Sequence, residues 1–226
     1  TICVGPATLP GLELHGGIPA NLRTILVVPT LLTKTAEIEE QIERLEVHYL
    51  ANQDGDLRFA LLSDWTDSAT ETAPGDDELL GTAMAAIARL NQRHGPAPDG
   101  ARFLLLHRRR TWNAAEGKWM GWERKRGKLH ELNRWLRGAT DTTFLASGGP
   151  MEAVPAAVRY AITLDADTRL PRGTAKRLVG KMAHALNRPR IDTASGRVVQ
   201  GYGVLQPRVT PSLPTGHGRS IFQRVF

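Results

Sequence analysis

Asp165 and Asp167, separated by Ala166 and preceded by Ile162-Thr163-Leu164, are the residues whose types and spacing point most directly to chemistry. In an extended strand, positions i and i+2 share a face, so both carboxylates are expected to point the same way. Two like charges held that close call for a cation. A hard divalent ion such as Mg2+ or Mn2+ takes oxygen ligands, accepts few protein carboxylates and completes its shell with water and phosphate oxygens. The plainer reading has Asp165 cap the strand end and Asp167 open a turn before Pro171.

Three other apolar runs end on polar residues: Pro29-Thr30, Ser63-Asp64 and His107-Arg108. In mainly parallel sheets the ligand site lies beyond the carboxyl ends of the strands, so these residues and the acidic pair are expected on one rim. Carboxylates beside cations ask for a phosphate-bearing ligand and a metal ion. Two basic runs, Arg108-Arg109-Arg110 and Arg124-Lys125-Arg126, add positive charge, and Trp112, Trp119, Trp122 and Trp135 lie in or beside them. A solvated face explains the second run, read as a loop, as readily as phosphate contact does. The tryptophans fit stacking on a sugar or base, or packing of a long loop, with packing expected for at least two of them. Asp-x-Asp also opens the Asp-x-Asp-x-Thr nucleophile motif of haloacid-dehalogenase-type phosphatases. Here Arg169 stands where that threonine belongs, and no later pair of aspartates is evident.

The elements that must position these groups follow from periodicity. Thr24 to Pro29 is a short β-branched run of the kind buried on both faces of a parallel sheet. A helix is predicted from an N-cap at Thr35, with Ile38, Ile42, Leu45 and Tyr49 on its inner face. Leu57 to Ser63 and Arg102 to His107 read as strands, and Glu78 to Gln92 as a helix carrying Leu80, Met84, Ile87 and Leu90. Lys128 to Arg137 reads as a helix, Tyr160 to Leu164 as the fourth strand, Thr174 to Leu186 as a helix and Val198 to Gln206 as a glycine-containing strand. Residues 1–22 form an irregular opening segment. The alternation predicts an α/β, Rossmann-like domain with a mainly parallel sheet flanked by helices.

Composition limits the alternatives. The 226 residues, 41% hydrophobic and 23% charged, fit one large globular domain or two small ones. The single cysteine, Cys3, excludes an internal disulfide and a cysteine-rich zinc site. No run approaches the roughly 18 apolar residues of a membrane helix, and no signal peptide is read. With 29 Lys+Arg against 23 Asp+Glu the net charge is +6, which favours an anionic partner without choosing among nucleic acid, lipid surface and phosphorylated ligand.

Taken in order, Ile25-Leu26-Val27-Val28-Pro29-Thr30, Leu61-Leu62-Ser63-Asp64, Gly127-Lys128-Leu129-His130-Glu131-Leu132-Asn133 and Leu164-Asp165-Ala166-Asp167 resemble the GT-A nucleotide-sugar glycosyltransferases of the cellulose- and chitin-synthase type. The tryptophan-rich stretch Trp112 to Lys128 is more particular and resembles the cyclic β-1,2-glucan synthases of Gram-negative bacteria, as do Tyr160 to Pro171 and Gln200 to Pro207. The resemblance covers residues 23–226. It implies UDP-glucose as donor, a growing β-glucan chain as acceptor and Mg2+ or Mn2+ as cofactor. Thr30 and Asp64 would contact uracil or ribose; Lys128 and Asn133 would lie near the diphosphate or donor sugar; Arg124 and Arg126 would add charge there; Asp165 and Asp167 would hold the metal. The family's general base follows the Asp-x-Asp in a Thr-Glu-Asp-like segment with a later Gln-x-x-Arg-Trp, and neither occurs before Phe226, where Gln223-Arg224 lacks that spacing. The resemblance therefore implies a base beyond Phe226, an incomplete domain inactive by itself, and a parent protein embedded in the bacterial inner membrane with this part on the cytoplasmic face. No nucleic acid is expected as partner, although a basic module binding single strands is the alternative from another class.

Overall fold

The computed structural model describes residues 8–53, 55–145, 155 and 157–207. Four parallel strands form the centre: β1 (Thr24–Leu32), β2 (Leu57–Trp65), β3 (Phe103–Arg108) and β6 (Tyr160–Thr163), in the order β3-β2-β1-β6. The chain runs outward from β1 to β3 and then returns to the other side of β1. That reversal is a topological switch point, where open α/β sheets form their ligand crevice.

β2 and β3 are buried along their whole length because both faces are covered, and their central residues are apolar. One face packs Leu26, Val28, Phe59, Leu61, Phe103 and Leu105 against the helices α1 (Thr35–Ala51), α2 (Asp76–His94) and α4 (Thr174–Ala183). On the other, Ile25, Val27, Ala60, Leu62, Leu104 and Leu106 meet α3 (Arg124–Trp135) through Leu132 and Trp135. Proline is tolerated within β1 for a geometric reason. The Val27 carbonyl accepts from the Leu164 N–H at 3.0 Å, so odd-numbered residues of β1 turn their backbone groups toward β6. Pairing with β6 stops at Val27↔Thr163, and Pro29, which has no N–H, comes just past it.

Several sequence expectations need correction. The N-cap of α1 is Lys34, and the Thr33 hydroxyl donates to the Glu37 carboxylate instead of Thr35 capping the helix. The tryptophan-rich connection is a hairpin, β4 (Thr111–Asn113) with β5 (Lys118–Met120), and α3 begins at Arg124. Arg124-Lys125-Arg126 is thus the first turn of a helix and not a loop. The fourth helix ends at Ala183 and gives way to a 3-10 turn over Ala185–Asn187. The last strand does not join the central sheet: β8 (Val198–Gln200) pairs antiparallel with β7 (Arg190–Ile191), around a turn in which Asp192 accepts from the Ser195 N–H and hydroxyl. The opening segment is irregular but anchored. Its Ile18 bridges Gly55, and the Leu12 N–H donates to the Gly180 carbonyl at 3.0 Å. Cys3 and Gln223-Arg224 lie outside the described residues.

Candidate functional site

The apolar runs of β2 and β3 align residue for residue, Leu61↔Leu105 through Asp64↔Arg108. Alternation along these strands sends the last four polar side chains to two faces. Ser63 and His107 share one face with Trp65; Asp64 and Arg108 share the other, under α3.

Asp64 and Arg108 form a two-point pair, Nε to Oδ1 at 2.7 Å and Nη2 to Oδ2 at 3.0 Å. Lys128 reaches the same carboxylate at 3.1 Å and donates to the Thr30 carbonyl at 2.5 Å, which links α3 to the ends of β1 and β2. Glu131, one turn further along α3, takes Arg108 Nη1 at 3.3 Å on one oxygen and the Thr143 N–H and hydroxyl on the other. Two cations and two carboxylates are therefore closed together. The side chains of Arg108 and Asp64 are 0% and 2% exposed. Burial lowers the Lys128 ammonium from its usual pKa, against the opposing pull of Asp64.

Arg108 also donates to the Trp122 and Arg124 carbonyls at 3.1 and 3.2 Å. These bonds hold a strained turn, since Glu123 and Arg124 have φ of 50° and 47°, each costing about 1–2 kcal/mol for a residue other than glycine. Two glycines make the fit possible. A Cβ on Gly121 would lie 2.6 Å from the Asp64 carboxyl carbon, and one on Gly127 would lie 1.8 Å from the Trp122 carbonyl oxygen. Neither position has room for a side chain.

On the opposite face, the Ser63 hydroxyl and His107 Nδ1 are 2.8 Å apart, and Trp65 meets the imidazole edge-on at 4.2 Å. Burial lowers the His107 pKa to about 3, with Asp64 opposing and Lys128 adding to the shift, so the ring is neutral.

The remaining predicted residues are placed as follows. Thr30 closes the crevice with its backbone carbonyl on Lys128, and its hydroxyl stays at the surface. The Asp64 carboxylate, expected to face a nucleoside, is enclosed by Arg108 and Lys128. Asp165 and Asp167 are both exposed. They lie past the end of β6, in a turn closed by the Thr168 N–H on the Asp165 carbonyl at 2.9 Å, so strand alternation does not govern their direction. Lys125 pairs with Asp165 Oδ1 across the crevice. Arg124 pairs with Asp67 and Glu116, and Arg126 with Glu123, all at about the surface. Asn133 is exposed on α3, about 140° around the helix from Lys128, and so faces away from this rim.

Arg108 as the hub, and Glu131 and Thr143 as its support, were not singled out from sequence. The signal was there in the matched endings Leu-Leu-Ser-Asp and Leu-Leu-His-Arg of two adjacent strands. In Arg108-Arg109-Arg110 only Arg109 is exposed: Arg110 is buried on Asp76 and lies over the Trp65 ring at 5.4 Å. Of the tryptophans, Trp135 is fully buried, Trp112 and Trp122 are exposed, and Trp119 is half-buried against Trp112. Among the described residues no three His, Cys, Asp or Glu converge as a metal cluster, and no helix is long and apolar enough to cross a membrane.

A parallel sheet with a charged crevice at its switch point places the chain among Rossmann-like α/β folds. Over 227 aligned positions, covering all of the chain, it is 54% identical to the cyclic beta-(1,2)-glucan synthase NdvB of Rhizobium meliloti (strain 1021). The chain is thus homologous along its whole length to one segment of a cyclic β-1,2-glucan synthase, and it spans 8% of that relative's length. No protein-family model matches it.

Proposed function

We propose that this chain is the donor-binding part of a glycosyltransferase that builds β-1,2-glucan from UDP-glucose. The observation that carries the reading is the 54% identity, over the whole of the chain, to a cyclic glucan synthase. The crevice supports it by gathering Thr30, Asp64, Lys128 and the Asp165–Asp167 turn at the carboxyl ends of β1, β2 and β6.

The residues fit a hard divalent cation. Asp165 and Asp167 offer carboxylate oxygens only, they are open to solvent, and Asp165 accepts the Lys125 ammonium as a cationic partner. Two carboxylates are as many as Mg2+ or Mn2+ needs from a protein when phosphates and water complete the shell. Bound there, the ion supplies charge neutralisation for a departing nucleoside diphosphate. The chain's own contribution is positioning. Lys128 is held by the Thr30 carbonyl and Asp64 as a desolvated cation next to the diphosphate, and Lys125, in the first turn of α3, ties that helix to Asp165 of the acidic turn. In this reading the acceptor is the growing glucan chain and the parent protein is membrane-embedded.

Calorimetry tests the reading. UDP-glucose should bind the chain in the presence of Mn2+, GDP-mannose should bind far more weakly, and Asp165→Ala or Asp167→Ala should abolish the metal dependence. Equal binding of both nucleotide sugars, or Mn2+-independent binding, would overturn it. The alternative of a basic module for single-stranded nucleic acid loses its footing because Arg108 and Arg110 are buried in ion pairs. It predicts steeply salt-dependent binding indifferent to both aspartates.

A further inference from the structure

We propose that Trp122 is the surface on which the nucleobase of the donor stacks, an inference that rests on the donor-site reading above. The indole is 46% exposed, although it sits beside the most tightly enclosed part of the molecule. Its backbone is fixed from beneath: Gly121 lies against the Asp64 carboxylate, and Arg108 holds the Trp122 carbonyl. Its ring is fixed from the side. A Cβ on Gly127 would come within 2.9 Å of Trp122 Cε3, so the indole leans on bare α3 backbone, and it meets the His130 ring in a T-shaped contact with centroids 5.8 Å apart and planes at 66°. Nothing in such packing requires an exposed aromatic.

A platform prepared this way suits a planar π-system, because stacking needs a rigid flat partner and no hydrogen-bond code. The surroundings favour an anionic nucleotide over a neutral sugar. Past Glu123 come Arg124, Lys125 and Arg126, each paired with a surface carboxylate, and Lys128 lies on the same helix at the cluster Trp122 adjoins. Trp112, equally exposed at 53%, lacks these supports and pairs with Trp119 in the hairpin.

The test titrates the 226-residue chain with UDP and Mn2+, by calorimetry and by tryptophan fluorescence. Trp122→Ala should weaken UDP about tenfold or more, in the range reported for losing one base–aromatic stack. Trp122→Phe should bind within about threefold of the parent chain while losing the UDP-induced quench, and Trp112→Ala should change neither readout. The Phe variant keeps the test decisive should the Ala variant fail to fold. Unchanged UDP affinity in Trp122→Ala, or a quench that survives in Trp122→Phe, overturns the inference while leaving the donor-site reading intact. A quench elicited by a β-1,2-linked glucose oligosaccharide in place of UDP reassigns the platform to the acceptor and overturns it too. Failure of the parent chain to bind UDP under any metal condition overturns both.

Discussion

Two charge clusters close the two ends of the same sheet, and they are built differently. At the carboxyl end, Asp64, Arg108, Lys128 and Glu131 are enclosed, and every carboxylate oxygen has a partner. At the amino end, Arg23, just before β1, pairs with Asp56 at 2.9 Å and with Asp99 at 2.8 Å, while the Arg58 guanidinium donates to the Asp99 carbonyl. Here Asp99 is 52% exposed and one buried oxygen of Asp56, Oδ1, has no hydrogen-bond partner. The amino-end cluster is an edge, with solvent near enough to share the load. Enclosing four charges is seldom the most stabilising choice, since desolvation rivals their attraction. What the carboxyl-end cluster secures is geometry: it fixes Lys128 at the crevice and Trp122 above it.

The largest expected effect is in acid. His107 is neutral and buried at the carboxyl end, with a pKa of about 3 when folded against 6.5 as its ordinary value. The unfolded chain binds a proton that the folded chain refuses, so stability is full above pH 6.5 and falls as pH drops toward 3, by at most about 5 kcal/mol. His107→Asn, which keeps a polar partner for Ser63, should flatten this acid limb in urea unfolding measured across that window. Parallel acid limbs in both proteins would remove His107 as its source.

Next in size is the loss of a carboxylate from each cluster. Asp64→Ala strands Arg108 and Lys128 together in a closed space and should cost about 3–5 kcal/mol. Asp56→Ala leaves Arg23 facing Asp99 beside solvent and should cost about 1–3 kcal/mol. The reverse order in denaturant unfolding would show that the enclosed end tolerates charge imbalance, which contradicts the comparison.

Much of the fold was legible because the central strands are short apolar runs bounded by helices of clear 3.6-residue period, and burial enforces both patterns. Leu57–Trp65 runs two residues past the expected end at Ser63, and Phe103–Arg108 is the expected Arg102 to His107 strand moved one residue along. The hairpin at Thr111–Met120 was hidden because three-residue strands with a tryptophan on each side show no alternation long enough to read. The start of α3 was hidden for an electrostatic reason. Three cations in a first turn oppose the helix dipole, and the turn persists because Arg108 holds the Trp122 and Arg124 carbonyls from below. Rim residues were readable from strand ends. Their pairing was not, since it depends on the β2–β3 register and on Glu131 arriving from a helix placed by tertiary packing.

The smallest effect gives the finest measure of the difference between the two ends. Asp99→Ala removes a half-exposed carboxylate that pairs with Arg23 at 2.8 Å and more loosely with Arg58 at 3.7 Å, but keeps the backbone carbonyl to which Arg58 donates, so it should cost about 1 kcal/mol. Glu131→Ala, its counterpart at the closed end, removes the second carboxylate partner of Arg108 and both acceptor contacts to Thr143, and should cost about 2–3 kcal/mol. Salt separates the two further. A half-exposed pair is screened once the Debye length falls to about 3 Å near 1 M salt, whereas a pair closed off from solvent is not. Between about 0.1 M and 1 M NaCl the penalty of Asp99→Ala should vanish while that of Glu131→Ala persists. Equal screening of both would mean that water and ions reach the carboxyl-end cluster as freely as the amino-end one, and that Lys128 is not the desolvated cation its contacts describe.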